Sequence, residues 1–119
     1  MSELSVELRH AKRSNKKELI LSKRELSFIP KEIYTIRTLE ELHLADNKIN
    51  NIEPEIAELF RLKVLNLEHN CLLELPTEIT HLPKLTLLSL KGNPLSPKFE
   101  PLLSLSYIDN LQDALTHCF

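Results

Sequence analysis

Apolar and polar positions along the chain repeat with a period of 23 residues. Leu39, Leu42, Leu44, Asn47, Ile49, Ile52, Ile56 and Leu59 recur as Leu62, Leu65, Leu67, Asn70, Leu72, Leu75, Ile79 and Leu82. The frame extends back through Leu19, Leu21, Leu26, Ile29, Ile33 and Ile36, and forward through Leu85, Leu88, Leu90, Asn93 and Leu95. So many matches at one offset identify internal repetition, which decides the architecture before any single element does. The repeat divides the chain into units 16–38, 39–61 and 62–84 and a truncated unit 85–95, flanked by segments 1–15 and 96–119, all within one domain. Each unit opens on a stretch such as Leu65-Asn66-Leu67, whose apolar residues two apart predict a strand with one buried face. Further on, Ile79 and Leu82 are three apart, with Pro76 just ahead and Glu78 between them, which predicts a short helix or helical turn. No unit can bury its apolar side alone, so the units are expected to stack into an α/β solenoid with a parallel sheet.

Asn47, Asn70 and Asn93 fall where the chain leaves each strand and withdraws backbone groups from water. An amide side chain, with two donors and a carbonyl acceptor, can satisfy those groups, so the three are expected to form a structural asparagine ladder. Arg24 stands at the matching place in the first unit, as befits an atypical terminal unit. Segment 1–15 reads as a helical cap, with Ser2 as N-cap and Leu4, Leu8 and Ala11 on one face. In 96–119, Pro97 and Pro101 precede a relaxed capping box of Ser106 and Asp109, and Ile108, Leu111, Leu115 and Cys118 follow at helical spacing. Two caps lead to the expectation of a complete protein.

The run from Leu62 to Leu82 reads Leu-x-x-Leu-x-Leu-x-x-Asn-x-Leu-x-x-Leu-Pro-x-Glu-Ile-x-x-Leu, and on these residues the chain resembles the leucine-rich-repeat family. The Pro-x-Glu-Ile element at Pro30–Ile33 and Pro76–Ile79 is similar to the 23-residue class of intracellular Ras-suppressor-like and plant Ras-group proteins, a class also found among bacterial proteins delivered into host cells. The resemblance covers about two-thirds of the chain. It implies a right-handed solenoid with a parallel sheet on a concave, protein-binding face, short helices or turns on the convex side, and helical caps at both ends. It also suggests a small GTPase, phosphatase or kinase as partner. The chain departs from the pattern at Arg24, at Pro54, displaced by one place, and in the fourth unit, which lacks Pro-x-Glu-Ile. The array is also shorter than usual for the family.

In the repeat frame the outward strand positions form rows: Glu18, Glu41, Val64, Leu87; Ile20, His43, Asn66, Ser89; and Ser22, Ala45, Glu68, Lys91. Apolar side chains at Ile20, Val64 and Leu87 on an open sheet face point to a protein contact, although scattered exposed apolar residues are also normal. The expected partner-binding set is Glu41, His43, Val64, Asn66, Glu68, Leu87, Ser89 and Lys91. Glu18, Glu41, Asp46 and Glu68 read either as a solvated face or as a complement to a basic partner patch. Asp46 and His69, in corresponding places of adjacent units with Glu68 and His43 nearby, are expected to make a solvated contact. Histidine beside carboxylates could serve as a metal site or as the general base of a hydrolase, the alternative reading, but no nucleophile, phosphate-cradling glycine loop or ligand set accompanies them, so no catalytic residue, metal or cofactor is expected.

Composition refines this reading. The chain has 119 residues, 42% hydrophobic and 27% charged, with one Gly and no Trp. Its net charge of −2 conceals nine Lys/Arg against five Asp/Glu in residues 1–38 and six against twelve in 39–119. The basic run from Arg9 to Lys17 could meet phosphates of nucleic acid or an acidic membrane, but no aromatic residue interleaves it and the isoelectric point is about 6.2, so neither partner is expected. No apolar run suits a signal peptide or membrane span. Cys71 and Cys118 match no metal spacing and make a thin disulfide framework, which favours a reducing, cytoplasmic setting. A monomeric protein-binding module is the expectation.

Overall fold

The structure, a computed structural model, describes residues 3–103 and 111–119. Four three-residue strands, β1 (Glu18–Ile20), β2 (Glu41–His43), β3 (Val64–Asn66) and β4 (Leu87–Ser89), pair in chain order as one parallel sheet. The register follows the 23-residue offset: Leu19 pairs with Leu42, Leu42 with Leu65 and Leu65 with Leu88. These four central leucines point inward and are buried. The residues on either side of each point outward, as strand alternation requires.

Opposite the sheet, short 3₁₀ helices Lys31–Thr35, Pro54–Glu58 and Thr77–His81 complete the units. Only about five residues are available on this side, enough for i→i+3 bonding but not for a cooperative α-helix. Ile33, Ile56 and Ile79 are each fully buried at its midpoint. Pro30 and Pro76 sit at the N-cap, whereas Pro54 is the first helical residue. The one-place displacement is harmless, because that N–H has no intrahelical partner in any case. Stacked leucines and isoleucines from all four units form one continuous core.

The strand exits are held by the three asparagines, the buried polar residues of the described chain. Asn70 Nδ2 donates to the carbonyls of Leu44 and Leu67, both at 3.0 Å, and of Glu68 at 3.2 Å, while its Oδ1 accepts from Ile49 N at 3.0 Å. Asn93 repeats this one unit on, with Leu67 and Leu90 as acceptors and Leu72 N as donor. Asn47 serves the first unit, donating to Leu21 and Leu44 and accepting from Arg24 N and Leu26 N. Arg24 therefore enters the ladder through its backbone. Its side chain turns outward instead, and its Nη2 donates to Glu7 Oε2 at 2.6 Å.

Glu7 belongs to α1 (Glu3–Arg13), which buries Leu8 and Ala11, with Leu4 packed alongside, and lies against Lys31–Thr35. The expected N-cap, Ser2, lies outside the described residues. At the other end a turn at Pro97–Phe99 leads into α2 (Glu100–Leu103), and α3 (Leu111–His117) packs on α2 and on Thr77–His81. Gln112 Nε2 donates to Leu82 O at 2.8 Å, and the rings of Phe99 and Phe119 meet edge to face at 5.5 Å. Ser106, Ile108 and Asp109, assigned to the start of this cap, lie outside the described residues.

Candidate binding face

The parallel register turns single outward residues into rows across the sheet. Glu18, Glu41, Val64 and Leu87 occupy paired positions on successive strands, and Ile20, His43, Asn66 and Ser89 form the row beside them. Glu41, His43, Val64, Asn66 and Ser89 are half-buried, while Glu18, Ile20 and Leu87 are exposed. Beyond the strands, Glu68 is half-buried and Lys91 exposed. Ala45, placed outward in the third row, is instead buried at 9% exposure. Alternation no longer governs at that point, because the chain is already turning into the asparagine ladder.

The face differs in character between its two ends, with Ile20 as an exposed apolar side chain at the β1 edge. At the β1–β2 end His43 Nε2 stands 3.2 Å from Glu41 Oε1 and 3.7 Å from Glu18 Oε2. One ligand atom from each of these three residues lies within 4.8 Å of the others, a set that could hold a divalent cation. At the β3–β4 end Val64 and Leu87 pair directly, giving an apolar patch. Between the ends Asn66 Oδ1 accepts from Glu68 N at 3.1 Å, so part of its bonding capacity is already used.

The expected Asp46–His69 contact does not form: no hydrogen bond or ion pair joins them among the described residues. Lys23, Asp46, His69 and Gly92 occupy the same turn position at 23-residue intervals, with φ of 57°, 57°, 55° and 83°. The His69 ring lies over the next unit at Gly92, where an added Cβ would collide with Nδ1. The histidine that gathers carboxylates is His43. Glu18 and Ile20, outside the expected binding set, belong to the same face, and the signal for them was present: an offset of 23 from Glu41 and His43.

A cavity of about 490 Å³ lies away from the strands, between α1 and the first 3₁₀ helix, lined by Leu4, Leu26, Phe28 and Pro30 together with Glu25 and Glu32. No helix among the described residues is long and apolar enough to cross a membrane.

Repeated strands, 3₁₀ helices and asparagine-bound turns define a leucine-rich-repeat solenoid. The leucine rich repeat family matches residues 37–95, and the chain belongs to that family. A leucine-rich-repeat protein of Leptospira interrogans is 37% identical with a TM-score of 0.69, the match covering 87% of this chain and 24% of that one. The leucine-rich-repeat ectodomain of the receptor kinase SOBIR1 from Arabidopsis thaliana is 30% identical over 65% of this chain and 44% of its own, with a TM-score of 0.57. The leucine-rich-repeat domain of APL1B shares the fold at a TM-score of 0.66 and 24% identity, over 96% of this chain and 32% of that one. The chain thus spans between about a quarter and a half of the length of these proteins. No curated protein matches it. The fold is one commonly used as a protein–protein interaction module.

Proposed function

We propose that the protein is a non-catalytic binding module that grips a partner protein through the strand face, as an adaptor, scaffold or inhibitor. The observation that carries this reading is the in-register patch of Val64 and Leu87, which continues into the polar rows of Glu41, His43, Asn66, Glu68, Ser89 and Lys91. An open sheet face in contact only with water has no physical need of apolar residues. An interface does, because apolar anchors ringed by polar groups supply most of its binding energy. A small GTPase, phosphatase or kinase partner is suggested by the Pro-x-Glu-Ile element at Pro30–Ile33 and Pro76–Ile79, which also supports placement in the Ras-suppressor-like class.

Both cysteines are free thiols, with Cys71 exposed, which supports a reducing, cytoplasmic compartment. The basic helix α1 spends its apolar side on the core through Leu8 and Ala11, leaving little for insertion into a membrane surface. We take the working unit to be a monomer.

The test is a comparison of two surface variants by affinity capture. Val64→Glu/Leu87→Glu places two charges where a partner must exclude water, while the core is untouched. Glu58→Lys changes the opposite side, where Glu58 is exposed and paired with Arg37 at 2.9 Å, a surface ion pair worth at most about 1 kcal/mol. Binding is expected to fail in the first and persist in the second, with both melting as the wild type does. The reverse outcome would place the binding surface on the convex side.

A further inference from the structure

We propose that the segment seated on this face presents an arginine to the β1–β2 end and an apolar side chain to the β3–β4 end, about 10 Å away. The inference rests on the strand face being the binding surface and adds the chemistry of what it binds. Glu18 and Glu41 are direct partners across two parallel strands, and like charges placed side by side on a sheet destabilise it. Neither carboxylate has a Lys or Arg ion pair among the described residues; only His43 reaches both. Lys16 and Lys17 immediately precede Glu18 in the chain, yet neither pairs with it. The pair is therefore a local concentration of negative charge on the sheet, contacted by His43 and open to a cationic side chain from a partner.

Arginine suits this pair better than lysine. Its guanidinium carries five N–H donors in a planar fork, so one group can serve both carboxylates, whereas an ammonium is a compact and more strongly hydrated point charge. The side chains of Glu18 and Glu41 are 53% and 45% exposed, so in the free protein water screens them. Covering them lowers the local dielectric and strengthens the contact. The second anchor follows from the same register. Two strand steps of about 4.8 Å separate the Glu18–Glu41 pair from Val64–Leu87, which sets the spacing of about 10 Å. The paired carboxylates stand at one end of the sheet only, and although Ile20 adds an exposed apolar side chain there, the charge gives the partner one preferred direction along the solenoid.

The test is selection of a random linear peptide display library on the immobilised 119-residue chain in the presence of EDTA, which removes any cation held by Glu18, Glu41 and His43. Selections run in parallel on wild type, Glu18→Lys/Glu41→Lys and Val64→Glu/Leu87→Glu, each first shown to melt as wild type does. Wild type is expected to enrich peptides pairing arginine with an apolar residue at a fixed spacing. The Glu18→Lys/Glu41→Lys variant is expected to lose the arginine preference and keep the apolar one, and the other variant the converse. Replacing the selected arginine by lysine should weaken binding several-fold. Peptides that lack arginine but are lost on Val64→Glu/Leu87→Glu overturn the arginine inference and leave the binding face standing. Peptides indifferent to both variants overturn both readings, and no enrichment at all overturns the inference. Self-association of wild type that disappears in Glu18→Lys/Glu41→Lys identifies a second copy as occupant and likewise overturns it.

Discussion

At the scale of single residues, the turn leaving each strand requires a left-handed backbone, and only one of its four occupants is glycine. Lys23, Asp46 and His69 accept φ near 55°, at a cost of roughly 1–2 kcal/mol for an ordinary side chain. Gly92 has a second constraint, the His69 ring lying where its Cβ would go. Gly92→Ala should therefore destabilise the fold by more than the backbone cost of about 1–2 kcal/mol, and Gly92→Ala/His69→Ala should recover only the steric part. Urea midpoints of the two variants separate these contributions; equal midpoints would show that His69 simply moves aside. Tyr34 supplies a pH-dependent counterpart. Burial pushes its phenol up to about 12, and the hydroxyl approaches the Glu53 backbone without completing a hydrogen bond. Because the folded value lies above the ordinary one of about 10, the folded state resists ionisation. The contribution of Tyr34 to stability is then constant below about pH 10 and falls by roughly 2–3 kcal/mol as pH rises toward 12. Tyr34→Phe should remove this alkaline loss, and unchanged alkaline melting in Tyr34→Phe would show that the phenol does not cause it.

At the scale of elements, the asparagine ladder links neighbouring units through side chains where backbone bonds alone leave gaps. Removing the Asn70 amide orphans the buried Ile49 N–H and strips a donor from Leu44 and Leu67. Asn70→Ala should cost about 1–3 kcal/mol for each buried group left without a partner. The exposed Asn51→Ala should cost almost nothing, and a denaturant midpoint shared by both would refute the ladder's role. The strands and their pairing were legible in the sequence because alternation fixes the face and the 23-residue offset fixes the register, two independent signals that agree at Leu19, Leu42, Leu65 and Leu88. Helix type on the convex side was not, since Pro-x-Glu-Ile marks where a helical turn begins without specifying its hydrogen bonding. The His69 placement was also illegible. Its ring settles over Gly92 in the following unit, and sequence spacing to Asp46 says nothing about which neighbour a side chain on a left-handed residue will lean toward. The Glu18, Glu41 and His43 set required two periods to be combined, 23 between strands and two along one strand.

At the scale of the whole molecule, the solenoid is elongated, about 40 × 26 × 22 Å, and each unit touches only its neighbours, so stability is close to a sum of units and interfaces. In such an array an uncovered end is costly, because the last unit has no successor to bury its apolar side. Here α3 covers that side at the 3₁₀ face: Leu111 and Leu115 are 3% and 0% exposed, and Gln112 caps Leu82 O. Full burial of two leucines contributes roughly 3–6 kcal/mol, a large share of the 5–15 kcal/mol by which domains are typically stable. Deleting 104–119 should therefore uncover Ile79, Leu82 and Phe99 and produce aggregation or a broad, non-cooperative melt. Leu115→Ala tests the same interface without removing chain. It should cost about 2–5 kcal/mol, whereas Thr116→Ala, exposed one position away, should cost far less. The Thr116 hydroxyl donates to the Gln112 carbonyl within the helix. A truncated chain that stays soluble and melts cooperatively, together with a silent Leu115→Ala, would mean that the last repeat closes the core unaided and that α3 serves something other than the fold.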